Sequence, residues 1–217
     1  MSVFELKNIG YSYDNKKYVV KDISYTFEKN KVYSIVGKSG AGKTTLLSML
    51  SGLTNPKEGE ILYNGKNISK ISQYDFRSKY VGVIFQAYNL LPNLTAIENV
   101  VLSMDISDKK ISNKLEVAKK LLEDVGLREE LYDRKILKLS GGEQQRVAIA
   151  RTLAYNPEVI LADEPTGNLD GETQKNIMDI FCELARTKNK CIIIVTHSPE
   201  VAKISDVCLD LTEINKA

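Results

Sequence analysis

Gly37-Lys38-Ser39-Gly40-Ala41-Gly42-Lys43-Thr44 is the stretch that decides how this 217-residue sequence reads. It fits the pattern G-x-x-x-x-G-K-[ST] of a phosphate-binding loop, the P-loop. Residues 31–36, Lys-Val-Tyr-Ser-Ile-Val, read as a buried strand before it, and residues 45–50 as the start of a helix after it. That context is what the motif needs. The glycines let the backbone wrap closely around a polyphosphate with N–H groups turned inward. The helix that follows presents the positive end of its dipole to the same anion. In this setting Lys43 reaches the β- and γ-phosphates, and the Thr44 hydroxyl is placed to ligate Mg²⁺. A plain glycine-rich turn is the alternative, and the flanking strand and helix argue against it.

Outside the loop, composition sets limits. The length fits one domain, or one domain with a subdomain. Hydrophobic residues at 43% and charged residues at 27% are ordinary for a soluble globular chain. A net charge of +2 gives no bulk argument for nucleic acid, and none is expected as a partner. The three cysteines, Cys182, Cys191 and Cys208, form no C-x-x-C pair, so neither a metal site nor a disulfide framework is expected. No apolar run approaches the ~18 residues that span a bilayer. Residues 1–6 lack a signal-peptide core. A cytoplasmic location follows as the expectation, with any membrane role supplied by a partner chain.

Along the chain, residues 3–7 and 19–27 read as strands, and residues 81–85 as another. Residues 59–63 and 66–68 flank Asn64-Gly65, a pair that favours a tight type I′ hairpin turn. From about residue 95 to 154 the pattern becomes helical. Leu115, Ala118, Leu121, Leu122 and Val125 recur at helical spacing, and Gly126 is a helix stop. Residues 159–162 and 191–195 are short buried strands either side of a helix over 171–185. Alternating strands and helices predict an α/β fold with a mostly parallel sheet.

A P-loop needs an acidic partner to complete a Mg²⁺ site. Val159-Ile160-Leu161-Ala162-Asp163-Glu164 supplies one, because Asp163 emerges at the carboxyl end of a buried strand, where open α/β sheets bind ligands. Glu164 is then placed to polarise an attacking water as general base. The third element is Leu139-Ser140-Gly141-Gly142-Glu143-Gln144-Gln145-Arg146. Ser140-x-x-Glu143 is a capping box opening a helix with Val147, Ala150 and Leu153 on one face. A capped helix start with two glycines also offers N–H groups and a dipole to an anion. One P-loop already serves the triphosphate within a chain, so a second phosphate-type site points to nucleotide held by another copy.

These motifs, in this order and over nearly the whole chain, resemble the ATP-binding-cassette (ABC) ATPase subunits, with residues 139–145 matching the family's signature motif. The resemblance implies a P-loop NTPase core with a mostly parallel sheet, an antiparallel N-terminal β subdomain and an inserted α-helical subdomain. Residues 1–94 and 155–217 would form the core with its β subdomain, and about 95–154 the helical part. It implies ATP hydrolysis with ATP and Mg²⁺. Gly37, Lys38, Ser39, Gly40, Ala41, Gly42, Lys43, Thr44 and Thr45 would cradle the triphosphate. Tyr13 aligns with the aromatic that stacks on adenine, with Tyr11 as the alternative. Gln86 matches the glutamine that touches Mg²⁺, beside Thr44 and Asp163. Ser140, Gly141, Gly142 and Gln144 would bind ATP in trans, and Asn168 and Asp170 would lie at the dimer interface. His197, the only histidine, matches the switch residue contacting the γ-phosphate, and it would act with Glu164 and Lys43 in catalysis.

Three departures stand out. Asn30-Lys31 replaces the usual Gly-Glu, Lys135-Ile136 stands where a proline is common, and the stretch after Asp206 lacks a clear final hairpin. Residues 162–170 and 85–95 resemble the branch of macrolide-exporter, lipoprotein-release, peptide-resistance and cell-division ATPases. That branch implies an ATP-bound homodimer on the inner face of the membrane, docked through about residues 89–103 to a permease with an extracytoplasmic domain. The work would be export or membrane extraction of a drug, antimicrobial peptide or lipoprotein. The alternative is a cell-division-type regulator of a cell-wall hydrolase. A soluble repair or translation ATPase would need a long coiled-coil insertion or a tandem cassette, and the chain has neither.

Overall fold

The structure, a computed structural model, describes residues 2–14, 16–107 and 109–216. Among the described residues, nine strands fall into two sheets. β1 (Ser2–Ser12), β2 (Tyr18–Glu28), β4 (Glu58–Tyr63) and β5 (Lys66–Asn67) make an antiparallel sheet in the order β2-β1-β4-β5. β3 (Lys31–Val36), β6 (Val81–Ile84), β7 (Val159–Asp163), β8 (Cys191–Val195) and β9 (Val207–Asp210) make a wholly parallel sheet in the order β6-β7-β8-β3-β9. The continuous apolar runs of β7 and β8 are buried on both faces, as parallel strands require.

Alternation along these strands divides the interior in two. Val32, Ile84, Ile160, Ala162, Ile192 and Ile194 face a core shared with α3 (Ala96–Ile106), α4 (Lys114–Asp124), α5 (Gly141–Leu153) and α6 (Gly171–Thr187). Tyr33, Ile35, Val159, Leu161, Ile193 and Val195 face a second core, filled by α1 (Lys43–Leu50) and the antiparallel sheet. Phe4, Tyr63 and Phe76 meet edge-on there, at 5.5 to 6.3 Å between ring centres. Phe76 opens the wide turn Phe76–Tyr80 that continues α2 (Gln73–Asp75) into β6.

Local chemistry fixes the joints. Asn64 (φ 46°) and Gly65 (φ 77°) both lie in the left-handed region, as the predicted type I′ hairpin turn needs. Asn30, standing where glycine is usual, takes φ 64°. Thr95 and Glu98 cap α3 reciprocally, and Gly126 (φ 72°) follows α4. The helical spacing of Leu115, Ala118, Leu121 and Leu122 is borne out by α4, whose buried residues are Ala118 and Leu122, while Leu115 is 52% exposed. After Asp206 the chain adds β9 as a parallel edge strand on β3 and ends in α8 (Leu211–Ile214), after the short α7 (Pro199–Ile204). Among the described residues, no helix is long and apolar enough to cross a membrane.

Candidate active site

All five parallel strands point the same way, so their carboxyl ends share one edge. Residues that follow four of them meet there, around an open cleft of about 800 Å³. β3 delivers the P-loop, β6 delivers Gln86, β7 delivers Asp163 and Glu164, and β8 delivers His197. The register makes this exact to a residue: Asp163 lies opposite Val195, and Ile35 opposite Val195 from the other side.

Gly42 sits at φ 91°, and a Cβ there would lie 2.7 Å from the Val19 carbonyl oxygen, so only glycine lets the loop approach β2 this closely. The ammonium of Lys43 is buried and donates to the carbonyls of Gly37 (2.8 Å) and Lys38 (3.1 Å). It thereby closes the loop on itself. Thr44 is exposed at the start of α1, while the Thr45 hydroxyl is 2.9 Å from the Tyr13 hydroxyl. Tyr13, 70% exposed, lines the cleft. Tyr11 instead packs partly into the second core, with the Lys57 ammonium 5.6 Å from its ring centre.

Burial, then the adjacent Glu164 charge, push the Asp163 carboxyl above its ordinary range, against the pull of Lys43 and His197. Glu164 has φ 46°, a strained value for a side chain with a Cβ. Its N–H donates to the Val195 carbonyl (2.9 Å). Its Oε2 accepts from the His197 N–H at 3.3 Å and from the Thr196 hydroxyl at 3.5 Å. Its Oε1 is buried without a hydrogen bond, and His197 Nε2 stands 3.5 Å away. A buried carboxylate oxygen with no donor is positioned to take a proton from an incoming group.

Ser140, Gly141, Gly142 and Gln144 do not line this cleft. Ser140 caps α5 as expected: its hydroxyl accepts from the Glu143 N–H (3.3 Å), and its own N–H donates to Glu143 Oε2 (2.8 Å). Gln144 Nε2 donates to the Leu139 carbonyl. Ser140 and Gly141 are exposed, and they open a helix whose first N–H groups have no intrahelical backbone acceptor. Asn168 is exposed, and Asp170 caps α6 through the Thr173 N–H (2.9 Å), which holds its carboxyl below the usual range.

Thr166, Gln174 and Ser198 also line the cleft and were not anticipated. Nor was Arg151, whose guanidinium donates to the carbonyls of Asn89 (2.5 Å) and Tyr88 (2.8 Å) and ties α5 to the loop after Gln86. Those two residues lie at φ 51° and 60°. No local pattern marks Arg151, because its partners are 62 and 63 residues away.

A family model described as ABC transporter matches residues 20–167. The chain belongs to the ABC transporter family. It is an ATP-binding subunit of ABC type and an ATPase. Over 98% of its length it is 48% identical to an uncharacterized ABC transporter ATP-binding protein, YclH of Bacillus subtilis, covering 94% of that protein. It is 42% identical to the lipoprotein-releasing system ATP-binding protein LolD of Syntrophus aciditrophicus, over 93% of this chain and 92% of LolD. Among solved structures it resembles the dimeric bacterial ABC transporter cassette MJ0796 (TM-score 0.85, 35% identity, 96% and 94% of the two chains). It also resembles the post-hydrolysis state of that cassette bound to ADP and Pi (TM-score 0.84, 34% identity, the same coverage). The two-sheet architecture of this ABC ATPase is the P-loop NTPase fold expected from the sequence.

Proposed function

We propose that this ABC ATPase works as one half of a nucleotide-driven clamp that drives a membrane permease. The observation that carries the reading is a division of labour. The P-loop, Gln86, Asp163, Glu164 and His197 share one cleft, whereas Ser140–Gly142, of which Ser140 and Gly141 are exposed, lie outside it. ATP lies in the cradle formed by residues 37–45, with adenine on Tyr13. A second copy contributes its Ser140, Gly141, Gly142 and Gln144, and Asn168 and Asp170 lie at the seam. The dimeric MJ0796 cassette supports this arrangement.

Thr44, Gln86 and Asp163 offer oxygen donors within the one cleft, which suits Mg²⁺. Bound there, Mg²⁺ would neutralise phosphate charge. Glu164 accepts the proton of the attacking water, at the oxygen left without a donor. Lys43 exchanges loop carbonyls for phosphate oxygens, and His197 holds the γ-phosphate beside Glu164. ATP favours the closed pair because it contacts both copies, so its binding shifts the population toward closure. Loss of the γ-phosphate removes the bridge.

Residues 95–154 act as the helical subdomain, and the segment 89–103 docks the permease, which carries an extracytoplasmic domain. That places the ATPase at the cytoplasmic face of the membrane. The work is export or membrane extraction of a drug, antimicrobial peptide or lipoprotein, and the lipoprotein-releasing relative LolD supports the last of these. Glu164→Gln tests the clamp. In Mg-ATP it should lose turnover by ~10²–10⁴-fold, as removal of a general base does, and should elute as a dimer. A variant that binds ATP yet stays monomeric at high concentration would refute the arrangement.

A further inference from the structure

The segment after β9 returns to the back of the P-loop and touches it at both ends. At the start of the loop, a Cβ on Gly37 would lie 3.5 Å from Thr212 Cγ2 and 3.6 Å from Asp210 Oδ1. At the end of the loop stands Asn215. Its Nδ2 donates to the Val19 carbonyl (2.7 Å) and to the Ala41 carbonyl (3.2 Å), and its Oδ1 accepts from the Lys21 N–H (2.8 Å). Donors and acceptors on the three sides leave the amide a single orientation.

The segment is itself anchored. Leu211 is fully buried in the second core. The Asp210 carboxylate accepts from the Thr212 N–H (2.8 Å) at the start of α8. The Lys216 N–H donates to the Lys21 carbonyl (3.1 Å), and the Lys216 ammonium pairs with Asp22 at 2.6 Å. Asn215 is therefore a rigid strut between β2 and the loop.

The carbonyl of Val19 is the same atom that a Cβ on Gly42 would strike. One amide group thus sets how far the loop stands from β2 at the residue before Gly42 and Lys43. From this we infer that Asn215 is a positioning residue for the nucleotide cradle. It holds the Ala41–Gly42 peptide in place so that the loop need not be ordered by its ligand. Preorganisation of this kind acts on affinity and leaves the chemical step alone. The inference rests on the reading of the cleft as the nucleotide site.

The test compares Asn215→Ala, Asn215→Ser and Asn215→Asp with Lys216→Ala. ADP affinity is measured by calorimetry, KM and kcat by steady-state ATP hydrolysis, and Tm without nucleotide. Asn215→Ala should weaken ADP binding about 5- to 10-fold, the scale of one or two net hydrogen bonds. KM should rise by a similar factor, with kcat within about twofold. Asn215→Asp keeps the acceptor for Lys21 but sets a carboxylate against two carbonyls, so it should lose more. Lys216→Ala, which removes the ion pair and spares the amide, should bind ADP as wild type does. If Asn215→Ala does not fold, Asn215→Ser carries the same expectation. A folded Asn215 variant with a lowered Tm and wild-type ADP affinity would overturn the inference and leave a structural role. Wild-type protein that fails to bind ADP would instead sink the nucleotide reading itself, and the inference with it.

Discussion

Alanine at Gly42 is the most direct probe of the cradle, because the structure separates two effects that usually come together. The first is conformational. At φ 91° a side chain suffers the left-handed penalty, about 1–2 kcal/mol. The second is contact. The new Cβ would fall 2.7 Å from the Val19 carbonyl, some 0.7 Å inside the 3.4 Å of ordinary contact, and within 3.1 Å of Val20 Cγ2. β2 is locked in its sheet, so the loop must move by about that distance. A shift of that size costs a further ~1–2 kcal/mol, as overpacking does. It also drags the N–H groups of residues 42–45 off the phosphate positions, where misplacement approaching 1 Å can cost ~10²-fold. Gly40 is the control. Its φ of 81° carries the same conformational penalty, but a Cβ there would meet nothing within 4 Å. Gly40→Ala should therefore lower Tm by about 2–8 °C, taking about 2–4 °C per kcal/mol for a chain of this size. Gly42→Ala should lower it about twice as far and cut ATP turnover by ~10²-fold. Scanning fluorimetry without nucleotide and steady-state ATP hydrolysis read the two quantities. Equal losses at the two positions would show that backbone strain alone accounts for the motif, and the close approach to β2 would count for nothing.

The other expectations concern the charged end of the cleft. His197→Ala should cut turnover by ~10²-fold or more while ADP affinity stays within a few-fold, since its side chain stands beside Glu164 and does not support the loop; near-normal turnover would remove its role. Asp163 gives a pH signature. Its folded pKa is raised above the ordinary value, so the stability it lends is full below that value and lost as pH rises through the raised one. At pH 7 the buried charge is a cost, and Asp163→Asn should raise the Tm of the nucleotide-free protein, with the gap closing toward pH 4. A gap that does not change with pH, or a lower Tm for the variant, would contradict that origin.

How much of this was legible depends on the distance over which each decision is made. The P-loop, the Asn64-Gly65 turn and the Ser140–Glu143 capping box are settled by residues within a few positions of one another, and each appears in the structure as its residues foretold. Strands β7 and β8 were legible because apolar runs buried on both faces leave no ambiguity of period. β9 was not, since Val-Cys-Leu-Asp is a short edge strand only half buried, and its pairing is decided by β3, some 170 residues earlier. The helix around Leu115 was legible but its exposure was not, because helical spacing shows which residues share a face and not where that face ends. Arg151 and Asn215 carry no local mark, since their partners are the backbone carbonyls of remote segments, whatever side chains those bear.

The alternation of the parallel strands between two cores has a consequence for how this chain can vary. Each such strand has, in effect, a reading frame. Losing or gaining one residue within β7 would hand every following side chain to the wrong compartment and turn Asp163 or Glu164 away from its neighbours on β8. Length can drift freely only in the connections, such as the hairpin at Asn64-Gly65. A permuted or tagged version of the molecule should accordingly be cut there, never inside a strand that ends at the cleft.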